Sequence, residues 1–508
     1  MNRHYYITTP IYYINDVPHI GHAYTTIAAD IMARYKRICG YDVFFLTGTD
    51  EHGQKVEKAA EQQGISPKEL ADRTVHRFSD LWKTLNISHT GFIRTTEERH
   101  RRVVQYIFQK VFENGDIYLG HYEDWYCVPC ETYFTETQLK DGVCPDCMRP
   151  TEKLKEESYF FRLSKYEERL TRLLEDHKDF ILPDVRYNEV ASFLKGGLRD
   201  LSVSRTSFQW GIPVPMNSAH IVYVWFDALV NYITGIGFLD DVDQFRTFWP
   251  CDAHLVGKDI LRFHTVYWPS FLMSLELEPP KHVFAHGWWT IEGHKMSKSL
   301  GNVVDPNEVV KEFGVDEFRF FLFREVPFGL DGDFSKHALI NRINGDLAND
   351  FGNLASRSVT MIGKFLKGKL ERPEKKGGMD DYVEENVRRL TDDYQKEMEV
   401  FAYHKALQDV FEIISILNKY IDSEAPWKLA KEGDVRIKTV LFNIWNSLRI
   451  VAMLLYPFMP AKGEALWNAL GIGKPLEKVF FDNEKTFYFM DDMGTIDKIK
   501  PIFPRIEA

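Results

Sequence analysis

YYITTPIYYINDVPHIGHAYTTIAADIMARYKRICGYDVFFL, residues 5–46, changes its hydrophobic period twice. Tyr5–Tyr13 is dense in Tyr, Ile and Thr and reads as a strand. Beyond His19-Ile20-Gly21-His22, the apolar positions Ile27, Ile31, Tyr35 and Ile38 recur at spacings of four and three. That is a helix with one buried face, ended by Gly40. Val43-Phe44-Phe45-Leu46 is apolar throughout, as in a strand covered on both sides. Strand, helix and strand in this order predict a parallel α/β sheet.

Residues 1–115 hold the first half of that α/β unit. Residues 116–215 break the rhythm with four cysteines, polar helical stretches around 153–178 and Gly196-Gly197, and read as an insertion. Apolar runs at Ile221–Phe226, His254-Leu255-Val256 and Val283–Trp289 read as the sheet continuing, which places its second half at 216–285. Residues 286–348 lead into a block, 349–508, that is helical throughout apart from a Lys/Gly-rich interruption at Lys364–Gly378 and a possible strand at Lys485–Met490.

At about 100–200 residues per domain, a chain of 508 predicts about three domains. With 44% hydrophobic and 14% aromatic residues it is neither disordered nor collagen-like. Its 63 Lys and Arg against 74 Asp and Glu, net −11, exclude a protein that coats nucleic acid by bulk charge. The deficit is uneven: residues 349–508 carry 24 basic and 25 acidic side chains, the rest 39 and 49. Met1–Tyr6 runs straight into the strand with no charged and apolar leader, so a cytoplasmic setting is expected. The stretch nearest to a membrane span, around 437–456, contains Lys438, Asn443, Asn446 and Arg449 and spaces its apolar residues helically. It predicts an amphipathic core helix and no membrane partner.

Two motifs point to phosphate. His19 and His22, three apart at a strand-to-helix transition, share the first helical turn, Gly21 allows close backbone approach, and the N–H groups of a helix start favour an anion. Lys295-Met296-Ser297-Lys298-Ser299 follows an apolar run and the Gly293 turn, and sets two lysines around a serine ahead of Gly301-Asn302. Each motif alone has a bland reading, a capped helix or a solvated lysine loop; together, in this order and joined by α/β sequence, they point to a triphosphate site.

Cys127-Val-Pro-Cys130 and Cys144-Pro-Asp-Cys147 lie within 21 residues and enclose 13. Two such pairs supply the four thiolates that a tetrahedral Zn²⁺ takes, so one closed, structural zinc knuckle is expected in preference to a redox dithiol. Cys39 and Cys251 are expected to pack as small hydrophobes.

The His-Ile-Gly-His and Lys-Met-Ser-Lys-Ser pair resembles the class I aminoacyl-tRNA synthetases, and over the whole chain the sequence is similar to the methionyl-tRNA synthetase family. Thr9-Pro10-Ile11-Tyr12-Tyr13, Thr47–Gly53, Tyr223–Ala228, Gly257–Ile260 with Phe263-His264, Asn353–Arg357 and Ala425-Pro426-Trp427 carry the likeness. It implies a Rossmann-type parallel-sheet catalytic domain with an inserted zinc-knuckle connective domain near the acceptor end, a 286–348 region holding the lysine loop and contacting the tRNA stem, and an all-α anticodon-binding bundle. It implies ATP-dependent formation of methionyl-adenylate and transfer to the 3′ end of tRNA(Met), initiator and elongator, with Mg²⁺ accompanying ATP. His19, His22, Lys295 and Lys298 would be catalytic, and with Gly21, Gly257 and Asp259 would hold ATP. L-Methionine would meet Ile11, Tyr13, Trp225, Ala228, Tyr232, Ile260, Phe263 and His264, with Asp50 on its ammonium; sulfur suits such aromatic walls. Asn353, Arg357 and Trp427 would read the anticodon by stacking and edge hydrogen bonds.

Synthetases for isoleucine, valine and leucine carry a large editing insertion between the two motifs; the 272 residues from His22 to Lys295 hold a sheet and a knuckle but not that domain as well. A cysteine-specific enzyme would leave its zinc an open position, which four cysteines fill. A non-catalytic tRNA-binding paralogue sits poorly with two intact phosphate motifs, and a zinc-ribbon nucleic-acid module accounts for 21 residues alone. Many members of the family carry a further C-terminal β-barrel for tRNA affinity and dimerisation; with Ala508 as the last residue, a monomer is expected.

Overall fold

Alternation along the first strand sends Tyr5 and Ile7 into one core and Tyr6 into another, the pattern of a strand buried on both faces. The computed structural model describes residues 3–14, 17–130, 132–134, 136–145, 147–291, 293–295, 303–491, 494–496 and 501–507. Six strands form the central sheet: β1 (Arg3–Tyr13), β2 (Tyr41–Asp50), β3 (Gly91–Arg94), β4 (Ile181–Leu182), β5 (Ala253–Gly257) and β6 (His282–His286). Their order is β3-β2-β1-β5-β6-β4, every pair parallel, with Ile7 beside Phe45 on one side and Ala253 on the other. The direction of winding reverses between β1 and β5, and a crevice at the carboxyl ends of two such strands is where open α/β sheets bind their ligands.

Helix α1 (Ile20–Ile38) crosses from β1 to β2. The expected single buried face is a correction: 16 of its 19 residues are buried, Asp30, Arg34 and Lys36 among them. One side lies on the sheet and the opposite side meets the C-terminal helices, where Tyr403 Oη donates to Ala28 O at 2.9 Å and Lys36 Nζ to Glu399 at 2.5 Å.

Three runs read from the sequence as sheet or helix fold otherwise. Asn217–Val222 joins a small antiparallel sheet with Pro213–Val214 and Ser204–Arg205, and Val224–Thr234 is a buried helix, so Ile221–Phe226 is no part of the central sheet. Trp289–Ile291 leaves β6 to pair with His294–Lys295 and, in parallel, with Gly332–Phe334. Glu152–Phe161 is a strand, laddered to Ile117–Cys127 over ten residue pairs, and the helix of that stretch is confined to Glu167–Asp176. The strand's charged residues gather in 152–157, and residues 158–161 are buried, so one end of the strand is polar and the other is core. The inserted block also supplies β4, the edge strand of the central sheet, and shares one core with the helices around Phe226 and Phe271.

Beyond Lys336 the described chain is helical, with the break after Phe365 and resumption at Asp380. Lys485–Met490 is irregular, not a strand: Tyr488 N–H donates to Asn446 Oδ1 and Arg449 Nη2 takes Thr486 O, so side chains of a helix satisfy the backbone that a partner strand would have bonded. Among the described residues one helix, Arg436–Leu455, is long and apolar enough to cross a membrane; its most apolar window is 89% buried inside the bundle.

Candidate active site and metal centre

His19 is the N-cap of α1 and His22 its third residue. The two cap the helix reciprocally: Gly21 N–H donates to His19 Nδ1 and His19 N–H to His22 Nδ1, both at 3.1 Å. A nitrogen that accepts carries no proton, so both rings are Nε2–H tautomers and direct a donor away from the helix start. The rings stack with centroids 3.9 Å apart. Burial, then the neighbouring His19, hold the His22 pKa well below 6.5, so that ring donates as a neutral imidazole. A Cβ on Gly21 would lie 2.9 Å from His19 Cε1; the glycine therefore makes room for the capping ring itself.

A β-bulge between Thr8 and Ile11 turns the end of β1 just before this helix. Ile11 packs with Tyr6, whose hydroxyl donates to Tyr232 O at 2.6 Å, so Ile11 shares the sheet face that carries helix Val224–Thr234. Tyr13 lies under Lys55 Nζ at 4.3 Å from its ring, and its register partner is Asp50, the buried last residue of β2.

On helix Val224–Thr234, Trp225, Ala228 and Tyr232 share one face at spacings of three and four. Phe263–Tyr267 is π-helical, a local widening frequent at functional sites, and presents Phe263 and His264 to that face. Phe263 stacks on Trp225 at 3.8 Å, and His264 Nε2 lies 2.7 Å from Tyr232 Oη. Because His264 Nδ1 must donate to Ile260 O at 2.9 Å, Nε2 accepts from the tyrosine. Burial lowers the His264 pKa from 6.5 to about 4, so this ring is uncharged near neutral pH. Trp225, Tyr232, Phe263 and His264 thus pack together, with Ala228 on the same helix face and Ile260 joined through its carbonyl.

Beyond β5, a Cβ on Gly257 would meet Asp259 Oδ1 at 2.5 Å, so only glycine lets that carboxylate fold back. Asp259 is exposed and accepts the Trp288 indole N–H at 3.1 Å. Lys295 sits in the hairpin strand His294–Lys295; Lys298 lies outside the described residues.

Several residues at the site were given no role from the sequence, although Asp227 and His52 fall inside the segments Tyr223–Ala228 and Thr47–Gly53. His286 ends β6 and lies 2.6 Å from Thr25 Oγ1 on α1. Asp227, between Trp225 and Ala228, is flanked by His52 and His100, each 2.7 Å away. Burial would raise Asp227, but the two imidazoles hold it below the ordinary carboxylate range. The position of His286 at the carboxyl end of a parallel strand was a usable signal, as was that of His52 within Thr47–Gly53; His100 had none.

The sulfurs of Cys127, Cys130, Cys144 and Cys147 all lie within 4.8 Å of one another, with Cys127–Cys147 at 3.5 Å and Cys130–Cys144 at 3.8 Å. A tetrahedron of thiolates about 2.3 Å from a metal has edges of about 3.8 Å, so the donor set fits such an ion. Around them Phe134 and Leu139 are the other hydrophobic members of the cluster, too little core to hold the loop alone. Cys251 packs in the core beside Tyr6, and Cys39 against the main core.

In the helical block, Asn353 and Arg357 stand one turn apart on helix Asn353–Phe365, both exposed, with Arg357 paired to Asp422 at 3.0 Å. Trp427 is 44% exposed, so it is no core residue. It follows Ala425, whose φ of 45° turns the chain between Tyr403–Glu424 and Pro426–Glu432.

The family model for class I tRNA synthetases (M) matches residues 5–154 and 149–359, and that for the anticodon binding domain of methionyl tRNA ligase matches 372–492. The methionine–tRNA ligase of Caldanaerobacter subterraneus subsp. tengcongensis is 51% identical, covering 100% of this chain and 80% of that protein. That of Thermotoga maritima is 47% identical over 99% of this chain and 80% of its own length. Mycobacterium tuberculosis methionyl-tRNA synthetase in complex with methionyl-adenylate superposes with a TM-score of 0.93 at 42% identity, covering 99% of this chain and 100% of that one. Its apo form superposes at 0.87 and 39% identity, covering 100% and 99%. The chain belongs to the methionyl-tRNA synthetases, the methionine branch of the class I aminoacyl-tRNA synthetases.

Proposed function

We propose that the crevice between β1 and β5 divides the family's reaction among the residues gathered there. The enzyme is an ATP-dependent methionine–tRNA ligase: it activates L-methionine to methionyl-adenylate and transfers the methionyl group to tRNA. The methionine carboxylate attacks the α-phosphorus of ATP and pyrophosphate leaves. Such a step needs alignment and charge stabilisation more than a protein nucleophile. His19 and His22 would donate from Nε2 to phosphate oxygens. Donors already fixed by their capping bonds cost little reorganisation when charge develops. Lys295 and Lys298 would neutralise the departing pyrophosphate. Gly257 and Asp259 would hold ATP, and bound Mg²⁺ would screen its phosphates.

Asp50 would take the methionine ammonium. Ile11, Tyr13, Ala228 and Ile260 would line the thioether, with Trp225 and Phe263 as its aromatic walls, and the neutral Tyr232–His264 pair would close the pocket without a charge to repel it. Cys127, Cys130, Cys144 and Cys147 would hold one structural zinc, which stiffens the inserted block. Asn353, Arg357 and Trp427 would read the anticodon of initiator and elongator tRNA(Met), where exposure is a requirement and a core role is not.

The observation that carries this reading is the tautomer-fixed His19–His22 pair at the start of α1, at the point where the sheet's winding reverses. Pyrophosphate exchange measured with each of the twenty amino acids tests it. Exchange should depend on methionine, and exchange with none of them, or equally with another, would overturn it.

A further inference from the structure

Asp227 has no part in the division of labour above, yet it is fully buried with both carboxylate oxygens engaged. His52 Nδ1 lies 2.7 Å from Oδ2 and His100 Nε2 2.7 Å from Oδ1. An ionised carboxylate only accepts, so both imidazole nitrogens donate. The three side chains come from three elements. His52 follows Asp50 by two residues on the segment leaving β2. Asp227 stands between Trp225 and Ala228 on helix Val224–Thr234. His100 belongs to helix Glu98–Glu113, and its Nδ1 lies 3.2 Å from Thr234 Oγ1, two turns beyond Asp227 on the same helix face.

The far end of the clamp is itself held. Trp210 packs edge-on to His52 at 5.5 Å and donates its indole N–H to Glu51 O at 2.6 Å. Arg94 binds both oxygens of the buried Glu51 at 2.7 and 3.0 Å. A buried carboxylate is a costly way to hold a helix that apolar packing would hold as well, and its directional bonds fix position instead.

We propose that His52 and His100 are positioning residues for the amino-acid pocket: through Asp227 they set the spacing between Asp50 and the Trp225–Ala228 wall. The proposal rests on the assignment of Asp50 to the ammonium and of that wall to the side chain. Small displacements of a supporting residue loosen a pocket without unmaking it.

The two imidazoles use different nitrogens, which gives a sharp test. An asparagine amide nitrogen stands where Nδ1 does, a glutamine amide nitrogen where Nε2 does. His100→Gln and His52→Asn therefore keep the donor, and His100→Asn and His52→Gln misplace it. In pyrophosphate exchange, His100→Asn should raise the methionine KM about 10-fold, the loss expected of one buried bond to a charged group, with the ATP KM within about 2-fold of the parent. His100→Gln should return the methionine KM to within about 2- to 3-fold of the parent. A merely structural role would lower the active fraction and hence kcat, leave both KM values in place, and not separate Asn from Gln; that result overturns the proposal. Should His100→Asn fail to fold, the His52→Gln and His52→Asn pair makes the same comparison. Asp50→Asn is measured beside them. If it raises the methionine KM while the His100 pair does not separate, the clamp is wrong and the pocket assignment stands. If Asp50→Asn leaves that KM unchanged, the pocket assignment falls and the clamp with it.

Discussion

An imidazole can donate, accept or carry charge, and around this crevice burial and hydrogen bonds decide which. His22, His254, His264 and His286 all have pKa values lowered by burial. His264 gives the sign most directly. Its folded pKa of about 4 lies below the ordinary 6.5, so between those values the unfolded chain binds the extra proton. The stability tied to its neutral form is complete above about pH 6.5 and is lost as pH falls toward 4, on the order of 3 kcal/mol from this one group. We expect denaturant unfolding at pH 4.5 and 7.5 to show a larger acid loss in the parent than in His264→Gln; an equal loss in both would remove His264 from the account. The sequence exposed His19 and His22 because they sit in a short motif, and His264 because its neighbours match a family pattern. The roles of His52 and His100 were illegible there because their meaning lies in Asp227, a partner that only folding brings near.

At the scale of elements, α1 does two jobs at its first turn: the same imidazoles that cap the helix would bind phosphate. That economy depends on Gly21, since a Cβ there would lie 2.9 Å from the His19 ring. Gly21→Ala should lower kcat for pyrophosphate exchange by about 10²-fold, the scale of one lost transition-state donor. Its melting temperature should change little, because Ala favours a helix by about 1 kcal/mol over Gly and offsets the disturbed cap. Unaltered exchange would show that the His19 ring is not held by this fit. The helix was legible from its period, but its second buried side was not: Asp30, Arg34 and Lys36 read as a solvated face until their partners are known. Glu152–Phe161 misled for a related reason. Its run of charges resembles a polar helix, and only the ladder to Ile117–Cys127 shows it to be a strand.

At the scale of the molecule, α1 is the axle between the crevice and the helical block. Asp30 on α1 accepts from Arg34 at 2.8 Å and from Arg319 at 2.7 Å, and Ser88 closes its other oxygen at 2.6 Å. Arg319, wholly buried on helix Val315–Arg324, also donates to Leu85 O, Pro457 O and Phe458 O, so one guanidinium joins the α/β unit to the bundle. Burial alone would raise Asp30, but Arg34 and Arg319 hold it far below the carboxylate range. Arg319→Met should cost about 3–5 kcal/mol in urea unfolding, the penalty of breaking a buried pair from one side. A change below about 1 kcal/mol would mean that Arg34 alone sustains Asp30. The helical block is near neutral at 24 basic against 25 acidic residues, which suits the local reading proposed for exposed Asn353, Arg357 and Trp427 better than bulk attraction. By itself the sequence determined the parallel α/β class, the helical C-terminal block, the histidine and lysine motifs and the four-cysteine set, because each is a local pattern of period, spacing or residue type. The tertiary structure alone decided that β4 comes from the inserted block, that both imidazoles are Nε2–H donors, that Asp227 is clamped from two sides, and that Arg319 ties the two halves together. The tautomers rest on hydrogen-bond geometry within one helical turn, and the other facts on contacts between residues tens to hundreds of positions apart; periodicity carries no information about either.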